Sequence, residues 1–308
     1  MRAAVLTAPD ALPVYGEHPE PAPAGGDELV VEVLAAGLHH LTRSRATGAH
    51  YSSSGAFPLV PGVDGVVMDH DHKLRYAVLD DTKLGMFADR TVIDARRSVV
   101  LPDGVDPARI AAAMNPAMSS WVALRRRIEF EKGQRVLVLG ATGNAGRMAV
   151  QIAKLFGAAQ VIAAGRDTTR LAELPALGAD ETITFDQVER AADVDVVIDY
   201  VWGEPSARAM VPMLTARADR SAPLTWVQIG SVAGASAPIP SAALRAARLQ
   251  IVGSGIGSVS AREILAELPE LAAAVADGTI DVRYRAVPLE RIAHFWNAPA
   301  DDRVVFTP

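Results

Sequence analysis

A run of small residues separates an apolar strand pattern from a helix pattern and has the chemistry of an anion site. The run reads Gly140-Ala141-Thr142-Gly143-Asn144-Ala145-Gly146. Gly143 lets the backbone approach a pyrophosphate, Gly146 lets the next helix pack closely on the strand, and Ala141 replaces the usual first glycine. The free N–H groups at the helix start would face the anion. We predict that Ala141 through Gly146 bind a dinucleotide; the alternative is a tight turn that binds nothing.

An arginine at the tip of the following strand pattern predicts which dinucleotide is bound. That strand ends in Gly165-Arg166, and Arg166 lies 20 residues after Gly146, where NAD-selective sites carry a carboxylate for the ribose 2′-hydroxyl. Gly165 leaves room for a 2′-phosphate, the Arg166 guanidinium can bind it through two N–H groups, and Arg170 adds a second positive charge. Asp167 would take the NAD role if it turned inward, but it is expected to cap the next helix. The predicted cofactor is NADP(H).

These residues need a βαβ unit to position them, and the hydrophobic pattern predicts one. Val136 to Leu139 is an apolar run typical of a parallel strand buried on both faces. Apolar residues then recur at spacings of three and four, which predicts a helix that ends at Gly157. Further alternation predicts about six parallel strands in an α/β fold with a doubly wound, Rossmann-type sheet. The other strands are Val161 to Ala164, Glu181 to Phe185, Val194 to Asp199, Leu224 to Ile229 and Leu249 to Val252.

The two ends of the chain have a different pattern. Residues 1 to about 115 contain short strands between turn residues, which predicts an all-β region, with a small barrel as its expected form. An alanine-rich helix, Ile110 to Leu124, is predicted to break near Pro116. The tail predicts a helix (Ala261 to Ala276), a strand (Val282 to Val287), a short helix and a last strand. The front strands are Arg2 to Thr7, Leu29 to Leu38, Leu74 to Leu79, Met86 to Ile93 and Ser98 to Leu101.

Composition narrows the class of protein. The 308 residues are 50% apolar and 21% charged, which fits two globular domains. A net charge of −6 argues against nucleic acid as the main partner, and without cysteines neither disulfides nor thiolate metal sites can form. The basic run Arg125-Arg126-Arg127 is expected on the solvated side of a helix. No apolar stretch is long enough for a signal peptide or a membrane span, so we expect a cytoplasmic protein without a membrane partner.

Several short motifs across nearly the whole chain together resemble one superfamily. Beside the glycine turn, they are Ala36-Gly37, Pro61-Gly62-Val63-Asp64-Gly65, Val161 to Arg166, Val196 to Tyr200, Gln228-Ile229-Gly230-Ser231 and Arg303-Val304-Val305-Phe306. They resemble the medium-chain dehydrogenase/reductase superfamily, specifically its zinc-free quinone oxidoreductase branch. The resemblance implies a GroES-like β-rich domain at residues 1–115 and 262–308, and a Rossmann NADP-binding domain at 116–261. It also implies hydride transfer from NADPH to a quinone or α,β-unsaturated carbonyl in the cleft between the domains.

The ends of the later strands supply further predicted contacts. Ile229-Gly230-Ser231 and Gly253-Ser254-Gly255 follow strands at the carboxyl edge of the sheet, where ligands bind in such folds. The alternative for both groups is plain turn chemistry. Leu249-Gln250-Ile251-Val252 is expected to be the last strand of the sheet, and an unprotected apolar edge invites pairing. The resemblance implies a homodimer joined edge to edge through this strand.

Two departures from the branch keep two functions open. The branch usually has Asn and Asp where this chain has His39 and Thr42, and the stretch between Gly62 and Met86 is short. Both changes lie on the substrate side. The chain is therefore predicted to be a reductase of quinones or enals, or alternatively a weakly or non-catalytic NADPH-binding redox sensor or interaction protein.

The predicted catalytic residues are His39, His40 and Tyr51. The histidines lie next to the expected nicotinamide position, where either could donate a proton or hold the carboxamide; one of the two is expected to face solvent. Tyr51 matches a tyrosine that the branch often places in the pocket wall, although it adjoins a polar loop. Replacing His39 with Ala is predicted to lower turnover or raise KM, with NADPH binding changed only a few-fold. Apolar lining is expected from Phe57, Met114 and Trp121.

No metal site is predicted. Asp69-His70-Asp71-His72 has ligand-type side chains, but a solvated turn is the preferred interpretation. By the resemblance, zinc-dependent relatives carry a Cys where His39 stands and a His where Val63 stands. His39 could bind zinc alone, but Val63 cannot, and a catalytic zinc site needs three protein ligands.

Overall fold

The computed structural model describes residues 1–50, 53, 55–80, 82–299 and 303–308. The chain divides into two compact units, Met1–Asn115 with Leu265–Pro308, and Pro116–Ile264. Within the described ranges, every helix is too short or too polar to cross a bilayer.

Fifteen strands and eight α-helices are described in these ranges. The strands are β1 (Arg2–Val5), β2 (Val14–Glu17), β3 (Glu28–Gly37), β4 (Asp64–Met68), β5 (Leu74–Val78), β6 (Arg90–Asp94), β7 (Ser98–Val100), β8 (Arg135–Leu139), β9 (Gln160–Gly165), β10 (Glu181–Thr184), β11 (Val196–Asp199), β12 (Leu224–Gln228), β13 (Leu249–Gly253), β14 (Arg285–Pro288) and β15 (Val304–Thr307). The helices are α1 (His40–Ala46), α2 (Pro107–Val122), α3 (Asn144–Leu155), α4 (Thr168–Leu171), α5 (Gly203–Ala216), α6 (Ala243–Ala246), α7 (Ala261–Ala276) and α8 (Ile292–Phe295).

The second unit is built on six parallel strands in the order β10-β9-β8-β11-β12-β13. This order confirms the predicted doubly wound sheet, because the chain moves outward from β8 in one direction and then returns to fill the other. The central strands β8, β9 and β11 are mostly apolar and buried because both of their faces are covered, and Val136 to Leu139 are fully buried. All carboxyl ends therefore lie along one edge, which is where ligands bind in such sheets.

The first unit is built around β3, which is ten residues long. Its first half pairs with β6, its last residues pair with β15, and its other edge pairs with β4. The sheet continues from β4 through β5 to β7, while β14 extends it beyond β15, and β1 and β2 form a separate pair. This β-rich front, completed by the tail strands, agrees with the prediction except for the helix α1, which the expected all-β region did not include.

Helix α2 runs through Pro116 without a break, so the predicted break is wrong. Proline has no N–H to donate to the carbonyl four residues earlier, which is Ala112 O. The side chain of Arg303 satisfies that oxygen instead, since its Nε donates to Ala112 O at 2.8 Å. A residue distant in sequence thus replaces the hydrogen bond that the proline removes.

Three strand predictions also need correction. β2, which lies in a proline-rich segment, and β4, which begins at Asp64, are both absent from the front strands that the sequence predicts. The tail strand predicted at Val282 to Val287 is observed three residues later, as β14. Both missed strands pair with neighbours over their full length, so their formation depends on partners that local sequence does not contain.

Candidate active site

The glycine turn joins β8 to α3 and leaves the start of the helix open. The N–H groups of Gly140 and Ala141 both donate to Ala164 O at 3.0 Å, which ties the turn to β9. Gly143 is the N-cap of α3, no side chain caps the helix, and its first turn contains no acidic residue. The helix start therefore keeps the partial positive charge that favours an anion.

The two glycines of the turn differ in what surrounds them. A Cβ added to Gly146 would lie 2.6 Å from Ala141 Cα and still closer to Gly140 O, so no side chain fits there. A Cβ on Gly143 would meet only Gly140 O, at 3.6 Å. Gly146 thus has the packing role that the sequence predicts, while the space beside Gly143 is open.

At the tip of β9, Arg166 is exposed, and the neighbouring carboxylate of Asp167 caps a helix. Arg166 is exposed, and none of the described residues forms a hydrogen bond or ion pair with it. Asp167 is the N-cap of α4: its Oδ1 accepts from Arg170 N at 3.1 Å, and its Oδ2 lies 3.4 Å from Arg170 Nε. The predicted capping role of Asp167 is confirmed, and the charge of Arg170 is paired with it. Gly165 is buried against Thr142, whose Cγ2 would lie 2.8 Å from an added Cβ, so packing also requires this glycine.

The segments after β12 and β13 are held together at the same edge. Gly230 N donates to Asp199 O, Gln228 Nε2 donates to Gly230 O, and Ser254 N donates to Gln228 O. Arg127 Nε donates to Gly253 O at 2.7 Å, which gives one residue of the basic run a partner. The predicted cofactor residues after β8, β9, β12 and β13 therefore share the carboxyl edge of one sheet.

In the first unit, His39 belongs to a buried polar cluster, which we call the His39 cluster: His39, Asp64, Tyr76 and Arg303. His39 Nε2 donates to Asp64 Oδ1 at 2.6 Å, and Tyr76 OH donates to Asp64 Oδ2 at 2.7 Å. Thr42 N donates to His39 Nδ1 at 3.3 Å, so the same ring caps α1. Both nitrogens of the ring are bonded, which fixes the neutral Nε2–H tautomer.

Strand register brings the cluster together. Asp64 begins β4 beside the end of β3, where Ala36 pairs with Gly65, and Tyr76 pairs with Val66 on the same face as Asp64. Arg303 immediately precedes β15, whose Val305 pairs with Gly37.

The cluster is closed to solvent and neutral in total charge. Burial lowers the pKa of His39 and outweighs the opposing effect of Asp64. Burial alone would raise the pKa of Asp64, but His39, Tyr76 and Arg303 together bring it below its usual value. Burial lowers the pKa of Arg303 to about 10, which leaves it protonated at neutral pH. The negative charge of the Asp64 carboxylate and the positive charge of the Arg303 guanidinium therefore cancel, and the His39 imidazole is neutral.

The other residues predicted for the catalytic site and its apolar lining lie partly on the surface and partly in the core. His40 is exposed, as expected for one of the two histidines, and Tyr51 lies outside the described residues. Met114 and Trp121 are fully buried, and Trp121 packs edge-on against Phe156 with ring centroids 4.7 Å apart, so these two side chains are core.

The acidic and histidine-rich run forms the hairpin turn between β4 and β5, as predicted. Asp69 Oδ1 accepts from Asp71 N and Lys73 N at 3.0 Å, and Asp69 Oδ2 accepts from Arg75 Nε at 2.7 Å. In the part of the chain that the structure describes, no three His, Cys, Asp or Glu side chains group as metal ligands would.

Sequence reasoning assigned no role to Asp64, Tyr76 or Arg303. Asp64 is flanked by glycines, which are typical of a turn, and Arg303 lies near the other end of the sequence. No local signal identifies Asp64, because its burial follows from the pairing of β4 with β3 and β5, which the sequence did not predict.

Comparisons with known proteins agree with this geometry. Residues 145–274 match a family described as zinc-binding dehydrogenase. The probable NADPH-dependent quinone reductase tdiC of Emericella nidulans is 29% identical over 99% of both chains. A chloroplastic NADPH-dependent alkenal/one oxidoreductase of Arabidopsis thaliana is 28% identical, over 57% of this chain and 50% of its own length.

Solved structures give the same result over the whole chain. The quinone oxidoreductase from Thermus thermophilus, which was also solved in complex with NADPH, is 26% identical with a TM-score of 0.83 and covers 100% of both chains. The open glycine turn, the strand order and these matches support placing the chain in the medium-chain dehydrogenase/reductase superfamily, in its quinone oxidoreductase branch.

Proposed function

We propose that this protein is an NADPH-dependent oxidoreductase that delivers a hydride to a quinone or an α,β-unsaturated carbonyl. The observation that carries the proposal is the tip of β9, where Arg166 is exposed without a partner while Asp167 is used as a helix cap. A guanidinium in that position suits a 2′-phosphate, and no carboxylate remains to repel it. Relatives named as a quinone reductase and an alkenal/one oxidoreductase support the two substrate classes.

The residues present suit the cofactor. The uncapped start of α3 and the open side of Gly143 would hold the pyrophosphate, and Arg166 would hold the 2′-phosphate. The segments Ile229–Ser231 and Gly253–Gly255 would contact the rest of the dinucleotide. When bound, the cofactor supplies the hydride.

His39 and His40 divide their roles in this proposal. His39 is a positioning residue, because both of its ring nitrogens are bonded and it holds the start of α1. His40 is the imidazole that keeps a nitrogen to donate a proton, since its side chain is exposed at the first position of α1. Tyr51 stays a prediction for the pocket wall.

Turnover is the first test. We expect the protein to oxidise NADPH, followed by near-ultraviolet absorbance, in the presence of some members of a panel of quinones and enals. Binding of NADPH without oxidation by any member would instead support the alternative, a redox sensor or interaction protein. The engaged nitrogens of His39 are the observation that keeps this alternative in view.

Cofactor choice is the second test. Arg166→Ala should weaken NADPH binding by roughly 10–150-fold, the value of a charge-assisted hydrogen bond of ~1.5–3 kcal/mol, and leave NADH binding nearly unchanged. Arg208→Ala is a matched control, because it removes the same charge from an exposed helix position in the same unit, where Arg208 pairs with Glu204. Equal losses for NADPH and NADH, or tighter binding of NADH by the wild type, would refute the assignment.

The proposed activity needs no zinc. The family match covers residues 145–274, whereas the positions that would carry zinc ligands by resemblance are His39 and Val63. Val63 has no donor atom, and both ring nitrogens of His39 are bonded. Stoichiometric zinc by elemental analysis, removed together with activity, would contradict this.

We also propose a homodimer formed through β13. This strand is the last of its sheet, and Leu249, Ile251 and Val252 are half-buried within the single chain. An open apolar edge suits pairing with a second copy across a two-fold axis. A monomer mass that does not change with concentration would refute it.

The cytoplasmic location stays a prediction, to be tested by cell fractionation.

A further inference from the structure

Trp202 has a backbone conformation that suits glycine. Its φ of 53° and ψ of −162° lie in a region that residues with a side chain rarely enter. Among the described residues, His72 is the other non-glycine with positive φ, and it lies in the exposed hairpin turn. A bulky aromatic residue is therefore strained at a position where glycine would adopt the same backbone conformation without strain.

The end of β11 enforces this conformation. The Asp199 carboxylate is fully buried and accepts three hydrogen bonds. Its Oδ1 accepts from Val201 N at 2.8 Å and from Trp202 N at 2.9 Å, and its Oδ2 accepts from the Trp226 indole at 2.9 Å. Strain that is held so firmly at the carboxyl edge of a ligand-binding sheet points to function.

Packing does not account for the indole. Trp121, Trp226 and Trp296 are between 0% and 4% exposed, whereas Trp202 is only half-buried. The hydrophobic cluster around Trp226 includes Val201 but not Trp202. A residue that strains the backbone, is absent from this cluster and is more exposed than the other three tryptophans favours a ligand as the partner of its exposed part.

Strand order identifies which part of the ligand lies nearby. On the proposed function, on which this inference rests, Arg166 after β9 takes the 2′-phosphate and the turn after β8 takes the pyrophosphate. The dinucleotide then crosses the edge from β9 toward β11, because β11 is the next strand on the far side of β8. Val201 Cγ2 would lie 3.0 Å from a Cβ on Gly140, so the loop after β11 adjoins the turn. We propose that the Trp202 indole contacts the nicotinamide ring.

This contact has a consequence for the two redox states. The oxidised nicotinamide is a cation and the reduced ring is neutral, so an indole face attracts the oxidised form more strongly. Trp202 should therefore favour NADP⁺ over NADPH, by about 2- to 30-fold in affinity. It is a specificity residue for the redox state of the cofactor rather than for its phosphates.

The test compares three ligands: NADP⁺, NADPH and 2′-phospho-ADP-ribose, which has the same phosphates but no nicotinamide. Trp202→Leu should weaken NADP⁺ by about 2- to 30-fold, weaken NADPH less, and leave 2′-phospho-ADP-ribose unchanged. Trp202→Phe should fall between wild type and Trp202→Leu. Trp202→Gly, which relieves the backbone, should match Trp202→Leu in affinity. Quenching of indole fluorescence by NADP⁺ should decrease in all three variants.

The outcomes separate this inference from the proposed function. If the wild type binds all three ligands and Trp202→Leu binds them equally well, the contact is refuted and the function stands. Equal loss for all three ligands would likewise refute it, because the indole would then support the loop rather than the ring. A wild type that binds none of the three would overturn the proposed function and this inference with it.

Discussion

The tip of β9 and the His39 cluster both contain charged side chains, but the charge at the tip is exposed and, within the described ranges, unpaired, whereas the charges in the cluster are buried and bonded. At the tip, Arg166 is exposed and has no partner among the described residues. In the cluster, Asp64 is fully buried, accepts two hydrogen bonds, and is balanced by the buried Arg303.

This difference distinguishes groups available to a ligand from groups that hold the fold. A buried charge must find its partners within the protein, so its bonding capacity is used up. A charge left open at the carboxyl edge of the sheet keeps its capacity for an anion. The two glycines of the turn follow the same rule, since Gly146 is enclosed by backbone while Gly143 faces open space.

The largest effect is expected from breaking the closed cluster. Arg303→Met should lower the free energy of unfolding by about 3–5 kcal/mol, because it leaves the buried Leu38 O without its donor and removes the buried positive charge that helps to keep Asp64 ionised. It also leaves Ala112 O, the carbonyl that Pro116 cannot serve, without its donor. Urea unfolding measures the change.

Two variants calibrate that result. Arg96→Met removes an arginine that is 69% exposed and paired with Asp94, so it should leave the free energy of unfolding nearly unchanged. Arg303→Lys keeps the charge and removes Nη2, which is buried without a partner, so it should cost less than Arg303→Met. Equal stability of Arg303→Met and Arg96→Met would mean that the cluster does not hold the first unit together.

A pair of glycine substitutions should separate packing from binding within one turn. Gly146→Ala places a Cβ against backbone atoms of Ala141 and Gly140, and should cost about 1–3 kcal/mol in stability. Gly143→Ala has an ordinary backbone conformation and open space, so stability should change by less than ~0.5 kcal/mol while NADPH binding weakens. Chemical unfolding and NADPH titration measure the two effects. Similar destabilisation by both substitutions would contradict the contrast.

The sequence predicted those parts of the molecule whose signal is local. The central parallel strands β8, β9 and β11 are mostly apolar, the turn between β8 and α3 has its glycines at fixed spacing, and the Asp167 cap precedes its helix directly. Each of these depends on neighbours within a few residues, so pattern alone was sufficient.

The parts that sequence reasoning missed depend on distant partners. The continuity of α2 through Pro116 requires Arg303, and β4 forms beside β3 and β5 although its glycine-flanked Asp64 suggests a turn. His39 was predicted near the nicotinamide as a proton donor. Its engagement with Asp64 follows from a strand pairing that no local pattern reveals.

The smallest predicted effect concerns the pH dependence of the closed cluster. The folded-state pKa of His39 is lowered by burial, so as pH falls the unfolded chain takes up this proton first. The wild type should therefore lose stability below about pH 6.5, by up to ~1.4 kcal/mol per pH unit until the folded pKa is reached. Asp64, whose pKa is also lowered, contributes only at more acidic pH.

His39→Asn keeps an acceptor for Thr42 N at the N-cap and has no proton to gain, so its stability should fall less steeply between about pH 6.5 and 5. His50, whose pKa burial also lowers, is present in both proteins and cancels in the difference. Urea unfolding of both proteins across this range measures the difference, and parallel curves would mean that the imidazole is not held neutral in the folded protein.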